Sequence, residues 1–161
     1  MTVVSEVSFG GTACRRIDAA ATEVFALITD VARLPEWNDV IPRVVERPAE
    51  MTPGAEWVVV IDPPKLPSWK SRSTVVEIDS ANHRFAHRTT SEDTNPSYVN
   101  WVWRVDDCDD DSCEVTVTWD VHPLTRFRKW FGPKVRRPQL EREVPRSLAR
   151  LAAVVSATTS Y

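Results

Sequence analysis

Two stretches of the chain alternate with a period of two. From Tyr98 to Val105, the side chains of Val99, Trp101, Trp103 and Val105 fall on one face and those of Asn100 and Arg104 on the other. From Cys113 to Val121, Cys113, Val115, Val117, Trp119 and Val121 share a face against Glu114, Thr116, Thr118 and Asp120. One apolar face per strand predicts a half-buried antiparallel sheet. Between the two runs, Asp106, Asp107, Asp109, Asp110 and Asp111 form an acidic knot that reads as a hairpin connection.

Five further strands are predicted. Ser5–Ile17 is a long one whose Gly10-Gly11 pair marks a bulge or bend. Val44-Val45 follows Pro42, and Trp57–Ile61 lies between the breakers Pro53-Gly54 and Pro63-Pro64. Ser71–Ile78 and Arg84–Thr90 flank a turn at 79–82.

Helical spacing occurs twice. Val24, Leu27, Ile28 and Val31 recur by threes and fours after Asp18 or Thr22, either of which can cap the start. This helix breaks near Asp30, and a second short one over Val31–Leu34 is expected to end before Pro35. Leu140, Val144, Leu148, Leu151 and Val155 predict an amphipathic C-terminal helix. Pro138 fits its first turn, and Pro145 interrupts its bonding. From Pro138 to Val155 it would be about 27 Å long at ~1.5 Å per residue. Strand, two short helices, six strands and a long helix make an α+β arrangement in a single domain over residues 1–161.

Composition narrows the function classes. The absence of a long apolar run argues against a helical membrane span, and the first ten residues lack a signal-like pattern, so a cytoplasmic protein is expected. Cys14, Cys108 and Cys113 are expected as reduced thiols, with no zinc site because no histidine stands at ligand spacing. Asp107-x-Asp109-x-Asp111 lacks the glycine and distal glutamate of a calcium loop. No nucleophile elbow and no phosphate-binding glycine loop occur, and the sequence pI of about 5.6 argues against nucleic acid. No metal or cofactor is expected. Seven tryptophans are many for 161 residues and need either burial or a ligand to cover them.

The stretch from Arg16 through Asp30 (RIDAAATEVFALITD), followed by Leu34-Pro35-Glu36-Trp37-Asn38, resembles the opening of the START-like superfamily, also called SRPBCC. Its polyketide cyclase/dehydrase and lipid-transport branch is the nearest in pattern. Arg84–Thr89 (RFAHRT), Val115–Trp119 (VTVTW) and Ser147–Leu151 (SLARL) match later parts more loosely. The resemblance implies a helix-grip fold, a seven-stranded curved antiparallel sheet wrapped around the long C-terminal helix with an apolar pocket between them. The superfamily shares no catalytic residues, so it assigns no active site. The chain departs from its relatives in having His87 where many carry a large aromatic, and Val117 where some carry an inward acid.

The expected pocket residues are Trp37, Val59, His87, Trp101, Trp103, Val117, Trp119, Phe131, Val144 and Leu148. His87, on the strand face of Phe85 and Thr89, is the candidate catalytic group; it would orient a ligand oxygen or act as a base. Three functions follow. The first is binding or carriage of a small hydrophobic ligand such as a lipid, sterol or polyketide. The second is a polyketide aromatase/cyclase or dehydratase. The third is docking on an anionic membrane surface through Arg126, Arg128 and Lys129, which interleave with Phe127, Trp130 and Phe131.

Overall fold

The computed structural model describes residues 8–159, without the side chains of residues 131, 132, 158 and 159. The start of the first predicted strand and the pocket position given to the Phe131 side chain therefore lie outside the described residues. Strand β1 (Phe9–Ile17) leads into α1 (Ala21–Thr29), a 3-10 turn over Val31–Arg33 and α2 (Leu34–Trp37). Strands β2 (Arg43–Glu46), β3 (Glu56–Ile61), β4 (Trp69–Asp79), β5 (Arg84–Ser91), β6 (Tyr98–Asp109) and β7 (Ser112–His122) follow, and α3 (Arg126–Thr159) closes the chain.

The strands form one antiparallel sheet in the order β1-β7-β6-β5-β4-β3-β2. Register shifts lie between Val44 and Glu46, Val75 and Glu77, and Asp107 and Asp109. Each extra residue bends its strand and helps the sheet curl. The bulge expected at Gly10-Gly11 is absent: β1 pairs with β7 in unbroken register from Phe9–Val121 to Ile17–Cys113. Gly11 serves close packing instead. It faces the indole of Trp119, and a Cβ there would fall on the ring.

The helices depart from expectation at their ends. Neither Asp18 nor Thr22 caps α1; its N-cap is Ala20, with no side-chain cap bond. Pro35 does not end α2 but sits in its first turn, where a missing N–H leaves no acceptor short. That turn delivers Trp37 into the interior. Helix α3 begins twelve residues before Pro138 and spans 34 residues, or about 51 Å at ~1.5 Å per residue. It contains Pro133, Pro138 and Pro145. Pro138 and Pro145 deprive the carbonyls of Lys134 and Glu141 of their donors. Both of those residues are exposed, so water can satisfy the freed groups. Burial of Leu140, Leu148 and Leu151 holds the helix down.

Helix α3 packs on β1 and on α2. Ser147 Oγ accepts from the Asp39 backbone N–H at 2.9 Å, and Arg150 donates to the Asn38 carbonyl at 3.2 Å. The three cysteines are free thiols, with Cys113 buried.

Candidate functional site

The curled sheet and α3 do not close on each other along their whole length. Between them lies a cavity of about 640 Å³, within the range usual for small-molecule sites. Its floor is the inner face of β3 to β6, with Val59, Trp57, Phe85, His87, Trp101 and Trp103. Ile28 of α1 with Leu34 and Trp37 of α2 closes one end. The roof is one face of α3, carrying Val135, Arg136, Gln139, Glu143, Val144 and Ser147. Loop residues Pro67, Asp93, Ser97 and Pro123, with Phe127 and Arg128 at the start of α3, surround the other end.

Of the residues expected to line a pocket, Trp37, Val59, His87, Trp101, Trp103 and Val144 border this cavity. Val117, Trp119 and Leu148 do not, and that part of the expectation is corrected. All three are buried in the filled part of the core. Gly11 and Ala13 on β1 are small, so α3 settles on that edge, and the Trp119 ring occupies the space over Gly11.

The floor is largely aromatic. His87 lies 5.1 Å from both Trp57 and Phe85 and stacks on Trp101 at 6.2 Å, measured between ring centroids. Trp37 meets Trp103 edge-on at 5.6 Å. These rings offer flat apolar surface with few polar interruptions. Ser73 and Thr89 share a hydroxyl–hydroxyl bond of 2.7 Å on the same floor.

Trp103 Nε1–H donates to His87 Nε2 at 3.2 Å. Because an indole nitrogen only donates, Nε2 is the unprotonated nitrogen and the neutral ring carries its proton on Nδ1. Burial pushes the His87 pKa down to about 3. His87 Nδ1 is buried and has no hydrogen-bond partner.

The polar roof was not foreseen. Gln139 and Glu143 are each only 7% exposed, yet both border the cavity. Arg136 Nη1 lies 3.7 Å from Glu143 Oε1, and its guanidinium sits 5.2 Å from the Trp69 ring. Burial raises the Glu143 pKa; Arg136 pulls it down, Asp39 adds to the rise, and the Gln139 side chain, close enough for a weak interaction but beyond hydrogen-bond distance, also lowers it. Burial likewise lowers that of Arg136, with Glu143 opposing and Arg128 reinforcing the change. Arg136 Nη1, both Gln139 amide atoms, Glu143 Oε2 and Trp37 Nε1 are buried without hydrogen-bond partners in the protein. The sequence did carry a signal. Gln139, Glu143 and Ser147 recur every four residues beside the apolar stripe of Leu140, Val144 and Leu148.

Outside the mouth, Phe127 is 65% and Trp130 63% exposed, and Lys134 Nζ sits 4.4 Å over the Trp130 ring. Arg126 is exposed, and Arg128 pairs with Asp93 at 3.7 Å. Among the described residues no cluster of ligating side chains fits a metal ion, and no helix is long and apolar enough to cross a membrane.

A curved antiparallel sheet gripping its C-terminal helix over an apolar cavity is the architecture of the START-like, or SRPBCC, superfamily. The chain belongs to the polyketide cyclase / dehydrase and lipid transport family, whose model matches residues 6–156. Solved structures of similar fold include the ZhuI aromatase/cyclase of Streptomyces sp. R1128, at 15% identity over 92% of this chain and 94% of that one, with a TM-score of 0.75. Norcoclaurine synthase of Thalictrum flavum, in a point mutant bound to a transition-state analogue, is 16% identical over 98% of this chain and all of the other, with a TM-score of 0.72. A third, TTHA0849 of Thermus thermophilus, is 17% identical over 94% of this chain and all of its own, with a TM-score of 0.74. At these identities the likeness is one of fold. No curated protein sequence matches the chain at a significant level.

Proposed function

We propose that the chain binds a small, largely apolar molecule in the cavity under α3, as a carrier or sensor. The observation that carries this reading is the 640 Å³ space floored by Trp57, Phe85, Trp101 and Trp103. A ligand of about 20 heavy atoms at ~0.3 kcal/mol per atom would bind with a Kd of roughly tens of micromolar. The His87 lone pair is engaged by Trp103 and its pKa is low, so His87 serves as a polar contact rather than a base at neutral pH. The test is a screen of sterols, fatty acids and hydroxylated polycyclic aromatics, followed by tryptophan emission. Saturable quenching or a spectral shift is expected for at least one class. A flat response throughout would overturn the reading.

The aromatase/cyclase or dehydratase reading has one observation in its favour. Glu143 is an enclosed carboxyl at the cavity wall whose pKa burial raises, suited to taking a proton from a ligand and returning it. Incubation with a linear poly-β-ketone surrogate separates the two. An enzyme of this kind closes a ring and releases water, lowering the product mass by one water, while a carrier returns its ligand unchanged.

The third reading, an anionic membrane surface met through Arg126, Arg128 and Lys129, is favoured by the exposed Phe127 and Trp130 next to the mouth. Apolar rings flanked by cations suit a lipid headgroup boundary.

A further inference from the structure

We infer that Arg136, Gln139 and Glu143 form a recognition subsite for a neutral hydroxyl group on the ligand, one that disfavours a carboxylate. The inference rests on the cavity being a ligand site and specifies what that site selects. The three residues follow one another at i, i+3 and i+7 on α3, so the helix itself places them on one face. That face borders the cavity. Two of the three are more than nine-tenths buried, and each of the three has at least one side-chain polar atom with no hydrogen-bond partner. Such atoms are costly to leave unmet in a protein interior. They mark where the oxygen of a ligand is wanted.

The chemistry of the unmet atoms selects the group. Arg136 Nη1 and Gln139 Nε2 donate, whereas Gln139 Oε1 and Glu143 Oε2 accept. A hydroxyl is the smallest group that does both, accepting from Gln139 Nε2 while donating to Glu143 Oε2, with Arg136 held in its ion pair with Glu143. A carboxylate accepts only. It would meet Arg136, but the charge of that guanidinium is already opposed by Glu143 at 3.7 Å. Bringing a second carboxylate beside Glu143 adds like-charge repulsion in an enclosed site, where screening is weak. Asp39 adds to the negative field at Glu143. Arg128 adds positive field at Arg136 but is itself paired with Asp93 at the mouth. The aromatic floor then takes the body of the ligand, with its hydroxyl turned up to the helix.

The experiment uses three probes of one skeleton, 1-hydroxypyrene, 1-methylpyrene and 1-pyrenecarboxylate, titrated at pH 7 and read by tryptophan quenching. The expected order in the unaltered chain is hydroxyl tightest by about fivefold over methyl, the worth of a net hydrogen bond, with carboxylate weakest. Glu143→Gln removes the opposing charge and leaves Arg136 free to pair, so 1-pyrenecarboxylate should gain at least about fivefold. Gln139→Leu keeps the ion pair and should bring hydroxyl and methyl within about twofold. This second variant keeps the inference testable if Glu143→Gln folds poorly. Equal binding of hydroxyl and methyl, or carboxylate tightest in the unaltered chain, overturns the subsite while leaving the cavity reading intact. Hydroxyl preference that survives Gln139→Leu undiminished also overturns it. If none of the three probes binds, the cavity reading fails and the subsite falls with it.

Discussion

The indole N–H of Trp103 donates to Nε2 of His87 across two neighbouring strands, at 3.2 Å. This bond fixes which ring nitrogen carries the proton and keeps the imidazole neutral inside an aromatic wall. It has a consequence for stability against pH. Burial holds the folded pKa of His87 at about 3, below the ordinary histidine value of 6.5. Between those values the unfolded chain takes up a proton that the folded chain refuses, so stability falls as pH drops through this window. From pH 7 to pH 5 the loss is about 2 kcal/mol, at ~1.4 kcal/mol per pH unit below the unfolded value. The raised pKa of Glu143 acts in the opposite sense, because its folded form holds a proton longer as pH rises. Comparison with His87→Phe isolates the histidine. The variant is expected to be less stable at pH 7, where Trp103 loses its acceptor, but to lack the histidine part of the acid slope. Urea denaturation at pH 7, 6 and 5 measures both. Parallel pH dependence in the two proteins would contradict the assignment.

Gly11 is where the sheet edge makes room for Trp119. Gly11→Ala places a methyl on the ring and is expected to cost about 1–3 kcal/mol, as overpacking does. Thermal denaturation should show a lower Tm, with altered tryptophan emission. Unchanged stability would mean that the Trp119 ring has room to move.

Ser147 joins α3 to the chain after α2 through the Asp39 N–H. Ser147→Ala leaves that amide without its acceptor and should cost about 1–3 kcal/mol. Although Ser147 also borders the cavity, its Oγ is engaged by the Asp39 N–H, so ligand affinity is expected to weaken less than stability does. Parallel denaturation and binding curves check the difference.

Phe127 and Trp130 stand out beside the mouth among Arg126, Lys129 and Lys134. If the mouth meets membranes, vesicles containing phosphatidylserine should bind the protein in low salt and release it at high salt. Trp130→Ser, a change outside the cavity lining, should weaken binding to the vesicles while leaving probe binding within about twofold. Equal binding to neutral and anionic vesicles would count against charge-guided docking.

The sequence made the sheet legible because alternation is a direct record of two faces. Val99, Trp101 and Trp103 turn inward as the period of two requires. Alternation does not record how far an inward residue stands from the helix above it. Trp119 and Val117 face the same way as Trp101, yet they pack solid, because Gly11 and Ala13 on a strand distant in sequence let α3 settle there. The start of α3 was hidden by its prolines, which read as breakers locally but are tolerated where packing and water meet the lost bonds. The polar roof was hidden by habit of composition. Arg136 and Glu143 look like solvated charges until the seven-residue spacing is seen to place them on one enclosed face.

Entry of an apolar ligand into the open space under α3 is what the proposed function requires. Its most direct measurement is a titration of the unaltered chain and Ser73→Phe with 1-methylpyrene, followed by tryptophan emission. Ser73 lies on the cavity floor, so a phenylalanine there fills the space from below. Saturable one-to-one binding is expected, weakening at least about tenfold in the filled variant, the worth of the lost apolar contact area. No saturable binding, or affinity unmoved by filling the floor, would contradict it.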